Sequence, residues 1–235
     1  MPRKRPPVPP TPPPDVDPHL LDRWKLFLFD RSDGEWGWDD AAADPIARLG
    51  SPRHTAAYLT ALFRSGPDIA RRFSRDAIGW ATWYVFGTQS EHCWALRDRR
   101  VPLAERVAGI RAVGDLYRDC YDPLCRPTGR PGEHPDPGRD TLADAVYMIW
   151  DMDVIEGAAM DGAEADSVDA VFDVLAGALR LRSLACVRSG LHGLGHLHFH
   201  HPERVERTIA AFLARTDLPR GVRDYADAAR IGAVQ

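Results

Sequence analysis

The chain has 235 residues, of which 44% are apolar and 27% charged, with a formal net charge of −4. This is enough for one large domain or two small ones with a real hydrophobic core. It lacks the basic excess that a nucleic-acid backbone demands, and no apolar run approaches the roughly 18 residues of a membrane span.

Residues 1–18 hold Pro2, Pro6, Pro7, Pro9, Pro10, Pro12, Pro13, Pro14 and Pro18 and almost nothing apolar, which predicts a disordered or polyproline II tail. Arg3, Lys4 and Arg5 are followed by proline where a secretory leader needs an apolar segment, so a cytoplasmic protein is expected. From Leu20 to Phe29 the apolar residues recur at helical spacing. The stretch from Asp30 to Asp40 reads as a loop carrying Trp36 and Trp38. Ser51-Pro52 predicts a capped helix start with proline at the first turn, ending near Ser65-Gly66-Pro67. A second helix, from Pro67 or Asp76, contains Ala77 to Phe86 and is apolar on most sides, as a central helix is. Arg71, Arg72 and Arg75 near its start read as solvated surface.

Pro102 opens a stripe of Leu103, Val107, Ile110, Val113, Leu116, Tyr117 and Cys120, which Asp122-Pro123 should end. A long surface loop is expected at 123–140, rich in proline and glycine. Thr141 and Asp144 resemble a capping box ahead of a helical face made by Leu142, Ala145, Val146, Ile149 and Trp150. Three more stripes follow: Val168 to Leu179, Leu184 to Leu194, and Val205 to Leu213 after Pro202. The tail from Asp224 to Ile231 adds a turn or two. Strand alternation and hairpin turns are missing throughout. The fold class is therefore all-α: a single domain over 19–235 of roughly seven or eight helices, built as an antiparallel bundle or a short irregular solenoid.

Leu184 to Leu213, with a first helix through His196, a turn at Pro202 and a second helix through Leu213, resembles one HEAT- or armadillo-type repeat. The resemblance covers about 30 residues and has no second copy at a fixed period. It implies a concave surface that binds another protein.

Chemistry concentrates in one place. Five of the nine histidines, His192, His196, His198, His200 and His201, lie within ten residues. On a helix, His192 and His196 are one turn apart and share a face, so two imidazoles can share a metal. The acidic stretch Asp151, Asp153 and Glu156 offers the missing ligand, and Glu156 or Asp173 an outer hydrogen-bond partner. The expected ligand set is His192 and His196 with Asp151 or Asp153, for zinc, iron or manganese. Gly193 stands where a His-Glu-x-x-His peptidase has its general base, so no local general base is present and an acid from Asp151, Asp153 or Glu156 has to be brought in by folding. Glu156 and His198 are the acid–base candidates, with or without a metal. A structural reading stands beside this one: Gly190, Gly193 and Gly195 let a neighbour approach closely, and the histidines cap carbonyls and pack around the crossing.

Cys93, Cys120, Cys125 and Cys186 have no zinc-knot spacing and read as free buried thiols. With only Lys4 and Lys25, amine catalysis has little material. Phosphate-loop, nucleophile-elbow and dinucleotide fingerprints are missing. Two functions are expected in order: a helical scaffold that binds another protein and needs no cofactor, and a divalent-metal enzyme of hydrolase or oxygenase type.

Overall fold

The computed structural model describes residues 12–30, 40–125, 140–152 and 154–234. Every regular element among them is helical. Helix α1 (Pro18–Phe29) starts where the Asp17 carboxylate accepts the His19 N–H at 2.9 Å. Upstream, Val16 packs against the core and the Asp17 N–H donates to the Tyr58 hydroxyl at 3.0 Å. The described chain therefore reaches its first core contacts ahead of residue 18. Trp36 and Trp38 lie outside the described residues, as do residues 126–139 of the expected loop.

After the short helix α2 (Asp40–Ala43) come α3 (Pro52–Arg64), α4 (Gly66–Arg72) and α5 (Arg75–Phe86). Ser51 caps α3 through its backbone alone, its carbonyl accepting the Thr55 N–H. Of the two starts offered for the second helix, Asp76 matches α5, and the residues after Pro67 form the separate α4. Phe73 turns extended, and Ser74 restarts the chain by accepting the Ala77 N–H. Helix α6 (Leu103–Leu116) runs into a π-helical turn, Tyr117–Tyr121, and then α7 (Asp122–Leu124), so Asp122-Pro123 continues the rod briefly before it stops.

Helix α8 (Thr141–Met148) is capped by the Asp140 carboxylate, which accepts the Ala143 N–H at 3.1 Å. Thr141, the cap the sequence suggested, is thus the first helical residue, and the cap lies one position earlier. Two 3-10 turns follow, Ile149–Met152 and Glu156–Ala159. Then come α9 (Ala165–Ala178), α10 (Leu184–Leu197), α11 (Pro202–Leu213) and α12 (Arg220–Ala229), the last being longer than the turn or two expected.

Packing joins helices distant in sequence. Helix α6 lies between α3 and α9, and α5 crosses α8. The α5–α8 crossing is close because Gly79 has no side chain: a Cβ there would sit 2.7 Å from the Thr141 carbonyl carbon. Helix α10 contacts α8, α9 and α12 more extensively than its chain neighbour α11. Leu59, Ile110, Val113, Leu175, Leu191 and Leu194, all but sealed from solvent, thread one core through these layers.

Two networks bond most of the larger polar groups inside this core, whereas Ser167 Oγ is buried without a partner. Asp44 accepts the Ile46 N–H at 2.9 Å, the Tyr84 hydroxyl at 3.1 Å and the Trp24 indole N–H at 3.4 Å, and its carboxylate meets His92 Nε2 at 2.7 Å. The Tyr117 hydroxyl accepts the Trp150 indole N–H at 3.2 Å and lies 2.7 Å from Ser189 Oγ, which donates to the Val146 carbonyl. That network fastens the turn after α8 to α6 and α10. Arg106, buried, holds the start of α9 by donating to the Glu164 carboxylate at 2.8 and 3.2 Å.

The Arg106 hydrogen bonds keep the Glu164 carboxyl at about 2, below the ordinary 4.5. A depressed carboxyl adds stability above its unfolded value and forfeits it as the pH falls through the folded one. The wild-type thermal midpoint should therefore drop more steeply between pH 4.5 and 2 than that of Glu164→Gln. Because Glu164 is partly exposed, added salt should shrink the difference. Parallel pH profiles for the two proteins would refute the assignment.

Candidate metal centre

Helix α10 begins with Ser183, whose hydroxyl accepts the Cys186 N–H at 3.5 Å, and presents His192 and His196 on one face a turn apart. Their rings lie 4.5 Å apart by centroid. The 3-10 turn Ile149–Met152 faces them and supplies Asp151. Its position follows from its neighbour. Trp150 is fully buried and lies against Gly193, where an added Cβ would be 2.7 Å from the indole ring and 2.6 Å from Leu175. The vacancy left by glycine seats the tryptophan, and the next residue reaches both histidines.

The Asp151 carboxylate meets His192 Nε2 at 2.8 Å through Oδ2 and His196 Nε2 at 3.6 Å through Oδ1. One donor atom from each of the three residues falls within 4.8 Å of the others. An ion about 2.1 Å from each donor in a tetrahedral arrangement holds donors about 3.4 Å apart, so these three could hold a divalent ion if the 2.8 Å contact between His192 and Asp151 opened slightly.

The far side of each ring is also bonded. His196 Nδ1 lies 3.1 Å from Glu156 Oε2, and Glu156 is almost wholly buried at the start of the second 3-10 turn. A neutral His196 with Nδ1–H donating there leaves the lone pair of Nε2 facing Asp151, the tautomer a metal needs. His192 Nδ1 lies 2.7 Å from the Tyr225 hydroxyl, which is 2.8 Å from the Tyr147 hydroxyl. The Tyr147 ring lies 4.4 Å from that of His192. Burial pushes the His192 pKa down against the upward pull of Asp151, which keeps the imidazole neutral. Burial and the Tyr147 hydroxyl raise the Tyr225 phenol, so it stays protonated. His192 is sealed, while His196 is 23% and the Asp151 side chain 30% exposed, so the cluster opens to solvent on the Asp151 side.

The remaining sequence candidates are dispersed. Asp153 lies outside the described residues. Asp173 pairs with Arg111 on the surface at 3.1 Å, so of the two outer partners considered, Glu156 is the one at the histidines. His198 is not among the three converging donors: its Nδ1 is buried without a hydrogen-bond partner, and its ring lies beside Gly232. His200 pairs with Asp161 at 3.1 Å, and His201 Nε2–H donates to the Ala159 carbonyl at 2.6 Å, both clamping the turn before α9. The structural reading of the histidines thus describes His200 and His201. Its glycines admit mainly side chains, Trp150 at Gly193 and Val234 at Gly195, while Gly190 meets Ala178 and the Leu175 carbonyl.

Tyr147 and Tyr225 were missed because a tyrosine 33 residues beyond His192 carries no local signal. Only the helical spacing of Tyr225 with Val222, Ala226 and Ala229 on α12 pointed inward. The four cysteines are free and buried; burial pushes the Cys93 thiol up and that of Cys120 to about 12, so neither of these is primed as a thiolate. Comparison of the chain with protein-family models, curated proteins and solved structures gives no match.

Gly193→Ala tests the seat of the tryptophan. Alanine gains about 1 kcal/mol of helix propensity, but overpacking against a fixed ring costs about 1–3 kcal/mol. Thermal or urea unfolding should show a net loss of stability. A variant as stable as wild type would mean that the notch does not position Asp151.

Proposed function

We propose that this is a divalent-metal protein with an open, catalytic-type centre held by Asp151, His192 and His196. One observation carries the reading: both imidazoles aim Nε2 at the same carboxylate while Glu156 and Tyr225 occupy both Nδ1 atoms. Two imidazoles turned to one carboxylate, each held from behind, is the arrangement that a metal-ligand set requires. Three protein ligands with one exposed side is the pattern of catalytic sites, whereas structural zinc takes four ligands and is closed. A divalent ion there supplies Lewis acidity and lowers the pKa of water, the chemistry of a hydrolase. Two nitrogens and one carboxylate also suit iron(II) and oxygen chemistry, so the identity of the ion chooses between the two. Asp151 and the histidines hold the ion, and Glu156 and Tyr225 fix the rings. Glu156 serves as an orienting carboxylate because His196 already occupies it.

Elemental analysis of tag-free protein should find about one ion per chain after exposure to zinc, manganese(II) or iron(II). Asp151→Asn, His192→Ala and His196→Ala should each lose it while keeping their helical circular dichroism. Folded wild-type protein that takes up none of the three ions, or variants that retain the ion, would overturn the proposal.

A second reading, in which the chain binds another protein as a HEAT-like helical array, is supported by a separate feature. An open groove of about 700 Å³ runs between α3 and α6, floored by Ala57, Ala61 and Ala108 and walled by Pro12 to Pro14 of the chain itself. Arg53 donates to the Pro12 carbonyl at 2.8 Å while pairing with Glu105. A groove that already accepts one extended proline stretch suits a proline-rich segment of a partner. A labelled Pro-Pro-Val-Pro-Pro peptide should bind saturably, and Ala57→Trp should abolish binding by filling the groove. An absence of saturable binding would eliminate this reading.

A further inference from the structure

We propose that the C-terminal segment 220–234 is a strap whose docking is coupled to occupancy of the metal site, with Tyr225 as the positioning residue that transmits the coupling; the inference rests on the metal reading above. The strap covers the helix that carries the ligands at three successive places. Tyr225 meets His192, Gly232 turns with φ 73° beside the His198 ring, and Val234 fills the space above Gly195. The fully buried side chains of α12 are small, Val222, Ala226 and Ala229, while Tyr225 and Val234 pack partly against the core and Arg223 donates to the Leu213 and Arg215 carbonyls. A polar bond at Tyr225 adds to these contacts in seating the strap.

The direction of that bond depends on the metal. Without an ion, His192 Nε2–H donates to Asp151 across 2.8 Å, and Nδ1 accepts the Tyr225 O–H across 2.7 Å. With an ion on Nε2, that nitrogen offers its lone pair and the ring proton resides on Nδ1. The Tyr225 oxygen then accepts from His192, and its own proton turns to the Tyr147 oxygen 2.8 Å away. A hydroxyl both donates and accepts, so this pair satisfies a buried imidazole in either tautomer, with no net proton gained or lost. Phenylalanine satisfies neither. An imidazole bound to a cation is also the stronger hydrogen-bond donor, so the bond from strap to histidine tightens on loading. By linkage, a seated strap raises metal affinity by the same factor.

Cobalt(II) is the probe, titrated into the full-length chain while its visible absorption and the hydrogen exchange of α12 are followed. In wild type, cobalt should slow exchange across α12. Tyr225→Phe should weaken cobalt binding about 10- to 100-fold, shift the cobalt spectrum and uncouple α12 exchange from cobalt. Val222→Ala, which loosens the strap without touching the histidine, should also weaken cobalt binding but leave the saturated spectrum unchanged, and it keeps the test open should Tyr225→Phe not fold. Wild type that binds cobalt with no response in α12, or a folded Tyr225→Phe with wild-type affinity and spectrum, overturns the coupling alone. Wild type that binds no cobalt, zinc, manganese(II) or iron(II) overturns the metal reading and the coupling together.

Discussion

The seat of Trp150 against Gly193 is the contact on which the arrangement of the centre depends. A large ring occupies the vacancy left by one missing side chain, and its indole N–H is tied to Tyr117. The turn after α8 therefore has one position relative to α10. Asp151 follows Trp150 directly, and His192 precedes Gly193 directly, so the packing contact and the polar cluster are one residue apart on both elements. A well-packed interior tolerates little displacement, and a steric fit at the neighbouring position is how such a cluster is held.

Around that seat, each polar group of the cluster is met on its second side. Glu156, nearly all buried, meets His196, and His192, fully buried, lies between Asp151 and Tyr225. Leaving any of these unpaired in a low-dielectric surrounding costs more than a typical hydrogen bond contributes. Exposure of Asp151 relieves part of that cost and keeps the cluster open. The same logic operates in the other half of the molecule, where buried Asp44 is surrounded by His92, Tyr84 and Trp24. There the carboxylate is sealed and its donors come from three separate elements, an arrangement suited to holding helices together.

Much of the helical text was legible because local rules govern it. The stripes through α6, α9, α10 and α11 follow the period of a helix, and each such element formed where its apolar residues recur. Misreadings occurred at the ends, where one residue decides. Asp140 takes the cap assigned to Thr141, Ser74 makes α4 a helix separate from the α5 that starts beside Asp76, and α7 carries the rod to Leu124, past the stop expected at Asp122-Pro123. Helix α12 was underestimated because its buried face is small, Val222, Ala226 and Ala229, and weakly apolar faces give weak patterns.

The linear order of residues by itself determined the all-helical class and the common face of His192 and His196, since both follow from spacing along a single element. It also marked an acidic stretch without saying which carboxylate faces the imidazoles. Folding alone decided that Asp151 reaches both rings, that Glu156 stands behind His196, and that Tyr225 comes from the far end of the chain to His192. Those choices depend on which helices cross and at what height. That is fixed by side-chain volume at Gly193, Gly195 and Gly79, where the absence of an atom matters and no periodicity records it.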